Sequence, residues 1–330
     1  MTVDTPAAVV DLDRLERNLA RWQRYCDEHG LRNRPHVKTH RCAEIARRQI
    51  ELGAVGITCQ KLGEAEVMVD AGIDDVLIPY NILGEAKLER LRALARRTRV
   101  SVSVDSEQLL AGLGDADVGV FVECDTGLGR AGVQRPEDAV ALARAIGRTG
   151  LRFEGFLTYP APPQLTAFLS EACAGVDAPI VSAGGTPTMW SAHELMPLVT
   201  EYRVGNYAFC DRKSVAAGAA TLDDVALTVH ATVVSRPTRR RAILDAGSKS
   251  LSMDPGPDDC FGEILEAPRS RIFDLNEEHA YVDVGEGDEL ELGQRVRIVP
   301  NHACVVTNLF DELLVEPEGV WRVDARGCSR

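Results

Sequence analysis

Lys38 stands in Arg34-Pro35-His36-Val37-Lys38-Thr39-His40, where a short run ends and a helical pattern begins. If the run is a strand of a β/α barrel, its C-terminal end lies on the active face. A lysine held there is partly desolvated, which lowers its pKa and frees its amine for a Schiff base; a surface lysine in a βα loop is the alternative. Ser182-Ala183-Gly184-Gly185-Thr186-Pro187 follows another apolar run. Its glycines let backbone N–H groups approach a phosphate, and Thr186 adds a hydroxyl donor, although the same residues also make an ordinary tight turn. Val122 to Val133 is a third such loop and delivers Arg130 among flexible glycines. That guanidinium suits an anionic oxygen held by two hydrogen bonds, or a bridge to a neighbouring acid. Tyr159 ends the next apolar run, where its hydroxyl can meet a ring nitrogen or cap the core.

A second kind of chemistry is offered by His302 and Cys304 in Pro300-Asn301-His302-Ala303-Cys304. On a strand, residues two apart point to one face, and imidazole plus thiolate suits zinc with positions left for substrate, water or another side chain. A packed cysteine beside a hydrogen-bonded histidine is the alternative.

The elements that must position these residues alternate. Ala8-Val9-Val10 precedes a helix from about Leu12 to Glu28. Arg34 to Lys38 precedes a helix from about Arg41 to Leu52, and Gly56 to Gln60 follows. The rhythm continues through Asp75 to Pro79, Val100 to Val104, Val118 to Glu123, Phe153 to Thr158, Pro179 to Ser182 and Tyr202 to Phe209. Alternation of this kind predicts a parallel sheet, and eight or nine strands by about residue 211 predict a closed (β/α)8 TIM-type barrel. Beyond Val225 the pattern changes to β-rich runs with Gly, Pro and Asp punctuation, among them 226–234, 242–244, 280–282 and 295–299. These predict an appended C-terminal antiparallel β domain. The expected division is 1–10 as an N-terminal strand packing with the C-terminal domain, 11–224 as the barrel and 225–330 as the β domain.

The 330 residues suit one barrel of about 250 residues plus a smaller domain. A net charge of −13 argues against a nucleic-acid partner, because phosphate backbones are held by clustered Lys and Arg. The Arg239-Arg240-Arg241 run reads as a solvated turn. No apolar stretch is long enough to cross a membrane and no signal core is present, so a cytoplasmic protein is expected. Nine cysteines without Cys-x-x-Cys spacing read as reduced thiols, most of them small core residues.

Taken in order, these segments resemble the D-threonine aldolase and D-serine dehydratase family, which has the alanine-racemase-like pyridoxal phosphate (PLP) fold. The resemblance runs through Thr5-Pro6, Asp11-Leu12-Asp13, Pro35 to His40, Gly63-Glu64-Ala65-Glu66, Asp125 to Arg130, Ser182 to Pro187, Glu201 to Tyr207, Asp245 to Lys249 and Pro300 to Cys304. It implies that Lys38 is the catalytic Schiff-base lysine, that Arg130 contacts the phenolic oxygen of PLP and that Tyr159 lies near the pyridine ring. It further implies that Ser182, Gly184, Gly185, Thr186 and Tyr207 surround the phosphate, that Gln60 is a cofactor-side residue, and that His302 and Cys304 hold Zn²⁺ or Mn²⁺. The substrate implied is a small β-hydroxy D-amino acid, and a homodimer is implied, with the partner's β domain near the barrel mouth.

Two features divide the family. After Tyr159 it often carries a Gly- and His-containing stretch that could act on the β-hydroxyl, whereas this chain reads Pro160-Ala161-Pro162-Pro163-Gln164. The His-x-Cys pair resembles the dehydratases, while the better-known aldolases resemble His-x-Asp. Retro-aldol cleavage to glycine and an aldehyde is the first reading and dehydration to an oxo-acid the alternative. A racemase of the same fold and a non-catalytic PLP carrier are the further ones.

Overall fold

The computed structural model describes residues 4–162 and 165–330. Its helices follow the apolar spacing of the sequence. In the helix Leu12–His29, Leu12, Leu15, Leu19, Trp22 and Cys26 recur every three or four residues and are all buried. The Asp11 carboxylate accepts the Arg14 N–H at the first turn. Gly30, at φ +69°, ends the helix, and Leu31 N–H returns to the Cys26 carbonyl.

By contacts the chain forms two compact units, one comprising Arg21–Lys38, Ala43–Gly205 and Gly327–Arg330, the other Met1–Ala20, Thr39–Cys42 and Asn206–Arg326.

The first unit carries eight parallel strands: Arg32–Asn33, Ile57–Thr58, Asp75–Ile78, Arg99–Val104, Gly119–Cys124, Arg152–Thr158, Ile180–Gly184 and Glu201–Arg203. Each pairs with its successor from Ile57–Thr58 onward, and the last pairs with the first. Hydrogen bonds from Val55 N–H to the Asn33 carbonyl and from Thr58 N–H to the Pro35 carbonyl, with a bridge between His36 and Thr58, complete the ring. This is the expected barrel. The strand of Lys38 is shorter than the sequence suggests: it ends by His36, and Val37–Thr39 form a 3₁₀ turn. Likewise the run 202–209 is a three-residue strand followed by the 3₁₀ turn Asn206–Ala208.

Leu77, Phe121, Leu157 and Ile180 pack together in the barrel interior. Beside this apolar core lies a buried ionic group. Glu201 is fully buried, its carboxylate accepting the Arg34 Nε–H at 2.9 Å and the Ser182 hydroxyl at 2.8 Å, while Arg34 also meets Asp75 at 2.6 Å. Burial works to raise the Glu201 carboxyl, but the Arg34 guanidinium more than offsets it and holds the group below its ordinary value. Such a carboxylate contributes stability above the unfolded pKa and loses it as pH falls through the lowered folded one. Glu201→Gln is therefore expected to destabilise the protein by about 3 kcal/mol at neutral pH, because it removes the fully buried anion that Arg34 faces and leaves that guanidinium to its part-exposed partner Asp75. In urea melts the difference from the wild type should shrink on acidification; a constant difference would contradict the ionic assignment.

The second unit is built on a nine-stranded sheet. Its long strand Leu227–Thr238 pairs antiparallel with Ala7–Asp11, Arg241–Leu244 and Arg295–Val299. Ala7–Asp11 also pairs with Glu312–Glu316, and that pairing is parallel, so the expected antiparallel sheet contains a parallel pairing in its interior, made by the N-terminal strand. Arg240 is exposed at the turn after Thr238. No helix among the described residues is long and apolar enough to cross a membrane. All nine cysteines are free, and six of them are buried.

Candidate active site

In the barrel unit, three of the candidate residues gather about the ring of a fourth, Tyr159. Lys38 Nζ lies 5.9 Å from its centroid and Arg130 Cζ 5.5 Å. A Cβ placed on Gly185 would come 3.5 Å from Tyr159 Cε2. Each arrives from a strand end: Tyr159 follows Arg152–Thr158, Gly185 follows Ile180–Gly184, Arg130 comes from the loop after Gly119–Cys124, and Lys38 from the 3₁₀ turn. Lys38 is half-buried, whereas the Tyr159 ring is 39% exposed.

Local hydrogen bonds explain why the chain presents these groups. The Asp125 carboxylate accepts the N–H groups of Gly127, Leu128 and Gly129 and the side-chain amide of Gln134. Burial works to raise this carboxyl, but the backbone donors outweigh it and hold it below the ordinary value. The loop is thus wound around an anion of its own, leaving the Arg130 side chain 54% exposed. The acidic side chain of Glu123 lies 3.9 Å away, too far for a hydrogen bond. Burial raises the Glu123 carboxyl, with Ser103 as its hydrogen-bond donor at 3.0 Å.

Behind Lys38, its own N–H approaches His36 Nδ1 at 3.4 Å, and His36 Nε2 lies 3.0 Å from the Gln60 side-chain oxygen. With Nδ1 accepting, Nε2 carries the proton and donates to Gln60. The Gln60 N–H in turn donates to the buried Glu64 carboxylate. Gln60 therefore braces the lysine turn through His36.

The turn at 184–187 is tight for a reason the sequence does not display. Gly185 has φ +134°, and its N–H donates to the Arg203 carbonyl at 3.1 Å; a Cβ on Gly184 would lie 2.5 Å from that carbonyl oxygen. Ser182 is fully buried beneath the turn, its hydroxyl donating to Glu201 and accepting from Arg203. Arg203 also donates to the Thr158 carbonyl at 2.8 Å, joining the strand that ends at Tyr159 to the glycine turn. Thr186 opens the 3₁₀ segment Thr186–Leu195, with Pro187 in its first turn. Arg203 escaped sequence reasoning, because its partners lie 21 and 45 residues away.

The remaining candidates belong to the second unit. Tyr207 is buried in the turn Asn206–Ala208. His302 and Cys304 do not sit on a strand as expected. Arg295–Val299 has ended, and His302 is the N-cap of the five-residue helix Ala303–Thr307. The cause is Asp211, whose buried carboxylate accepts the Ala303 N–H at 2.9 Å and so starts a helix there. The two side chains still meet: hydrogen bonding to Cys304 raises the His302 imidazole, burial opposes it and Asp254 adds to it, and the pKa is held up to about 9. His302 Nδ1 lies 2.6 Å from Asp254 Oδ2, and Cys304 Sγ lies 3.1 Å from the Thr39 hydroxyl.

Among the described residues no group of three or more His, Cys, Asp or Glu side chains is disposed to hold a metal ion. The pair offers two donors only, a nitrogen and a sulfur, which is the chemistry of a thiophilic divalent ion with open positions. Neither Asp211 nor Asp254 is signalled by spacing, since they lie 92 and 48 residues from their partners. After Tyr159, residues 163 and 164 of the stretch that departs from the family lie outside the described residues.

Residues 10–213 match the family described as alanine racemase, N-terminal domain, and residues 226–316 match the putative serine dehydratase domain. The chain is 37% identical to D-threonine aldolase of Arthrobacter sp, over 99% of this chain and 94% of that one. It is 35% identical to D-threo-3-hydroxyaspartate dehydratase of Delftia sp. (strain HT23), over 94% and 93%. Two solved variants of a D-threo-3-hydroxyaspartate dehydratase superpose on it. One is substituted at a histidine, with a TM-score of 0.88, 33% identity and coverage of 97% and 95%. The other is substituted at a cysteine two residues later and is in a metal-free form, with a TM-score of 0.85, 33% identity and coverage of 97% of each chain.

Proposed function

Because the chain belongs to the alanine-racemase-like family of D-threonine aldolases and D-serine dehydratases, we propose that its reaction is cleavage of a β-hydroxy D-amino acid to glycine and an aldehyde. The protein is a PLP-dependent lyase of D-amino acids. The observation that carries the reading to particular residues is the gathering of Lys38, Arg130 and the Gly185 turn about Tyr159.

These residues fit the cofactor. Lys38 offers a half-buried amine to its aldehyde, Arg130 an exposed guanidinium to its phenolic oxygen and Tyr159 a ring face. The Gly184–Gly185 turn and Thr186 offer a site without Cβ obstruction to its phosphate, with Tyr207 as a further phosphate partner and Ser182 bracing the turn from below. When bound, PLP supplies the electron sink that allows a bond at the substrate α-carbon to break. His302 and Cys304 would hold Zn²⁺ or Mn²⁺, which supplies a Lewis acid for the β-hydroxyl oxygen.

The protein's own task is proton handling at the α-carbon. In aldol cleavage the β-hydroxyl would release its proton to solvent as the Cα–Cβ bond breaks and the aldehyde departs, and Lys38 Nζ would return a proton to the α-carbon so that glycine leaves. In dehydration the same nitrogen removes the α-proton first. Dehydration is the second reading. It is favoured by Cys304, since the dehydratase variants above are substituted at a histidine and at a cysteine with the same spacing.

The deciding experiment supplies PLP with Zn²⁺ or Mn²⁺ and offers D-threonine, D-phenylserine, D-serine and D-threo-3-hydroxyaspartate. Glycine with an aldehyde is the expected product pair. Oxo-acid with ammonia as the sole products would assign dehydration, and turnover of none of the four would refute the lyase reading. A homodimer is proposed from the resemblance, and a single species at twice the chain mass in sedimentation would support it.

A further inference from the structure

We propose that Asp254 is a positioning residue that fixes the imidazole of His302 for metal binding, an inference that rests on the metal reading of the His302–Cys304 pair. A neutral imidazole carries one N–H, and the hydrogen bond made by one ring nitrogen decides which nitrogen keeps a free lone pair. Here Nδ1 faces Asp254 Oδ2 at 2.6 Å. With the proton on Nδ1, Nε2 is the nitrogen left to ligate, and the carboxylate makes it a stronger donor.

Asp254 is itself held by two contacts to its backbone and one to its carboxylate. Ser252 adopts φ +65°, a conformation rarely taken by residues other than glycine, and its hydroxyl accepts the Asp254 N–H at 3.2 Å. Asn301, buried and adjacent to His302, donates from its side-chain amide to the Asp254 carbonyl at 2.9 Å and to the Cys260 carbonyl at 2.6 Å. One residue thus ties the loop of the carboxylate to the segment of the imidazole. Lys213 Nζ reaches the same Oδ2 at 3.2 Å, which aims the carboxylate. The side chain remains 37% exposed, so replacing it opens no core cavity.

The test measures zinc affinity by chelator competition on the PLP-loaded enzyme, beside the unfolding temperature of the chelator-treated protein. Asp254→Ala should weaken Zn²⁺ binding roughly 10–100-fold. Asp254→Asn, which keeps an acceptor oxygen without the charge, should weaken it less. Both should leave the unfolding temperature of the chelated protein unchanged. Wild-type zinc affinity in Asp254→Ala, with His302→Ala deficient in zinc, would overturn the inference and leave the metal pair standing. Wild-type zinc affinity in His302→Ala would overturn the pair and the inference with it. Weakening confined to Asp254→Ala, matched by lower stability of its chelated form, would reduce Asp254 to a structural residue.

Discussion

Lys38→Ala should lose the absorbance of the protein-bound cofactor imine and should show no covalent cofactor after borohydride reduction. Turnover should fall by about 10³-fold or more, since one nitrogen supplies both the covalent tether and the proton transfer at the α-carbon. The fold should persist, because Lys38 is only half-buried in a short 3₁₀ turn. A variant that keeps a reducible covalent cofactor would show that another amine carries it, and the barrel assignment of the site would fail with it. Arg130→Ala should have a smaller effect, seen as weaker cofactor retention with the imine absorbance preserved.

Chelation, or Cys304→Ala, should remove a different part of the reaction. Loss of a Lewis acid worth several kcal/mol corresponds to a fall in turnover of about 10³-fold. The imine absorbance should persist, because the imine is formed by the Lys38 amine and needs no metal ligand. Added Zn²⁺ or Mn²⁺ should restore the chelated wild type and fail to restore Cys304→Ala at equal concentration. Full activity after exhaustive chelation would refute the metal reading while leaving the PLP reading intact. The two experiments therefore separate the halves of the proposed site by spectrum as well as by rate.

The helix Leu12–His29 was legible residue by residue, because apolar spacing, an N-terminal Asp and a terminating Gly are local signals that reinforce one another. So were the alternation that makes the parallel barrel and the β-rich texture of the later chain, since β/α units and antiparallel strands repeat over short stretches. Lys38, Arg130, Tyr159 and the 184–187 turn could each be picked out by side-chain type at the end of an apolar run. What no local pattern carries is contact between distant segments. Arg203 binding Ser182 and Thr158, Asp211 starting a helix at Ala303 and Asp254 facing His302 all join residues 21 to 92 positions apart. The same cause moved His302 and Cys304 from an expected strand to a helix cap, and lent the β domain a strand from the N-terminus that pairs in parallel. By itself the amino-acid order determined which residue types arrive at strand ends. Folding decided which of them are braced, because burying Arg34, Glu201 and Arg203 together is tolerable only where each charge finds its partners across the chain.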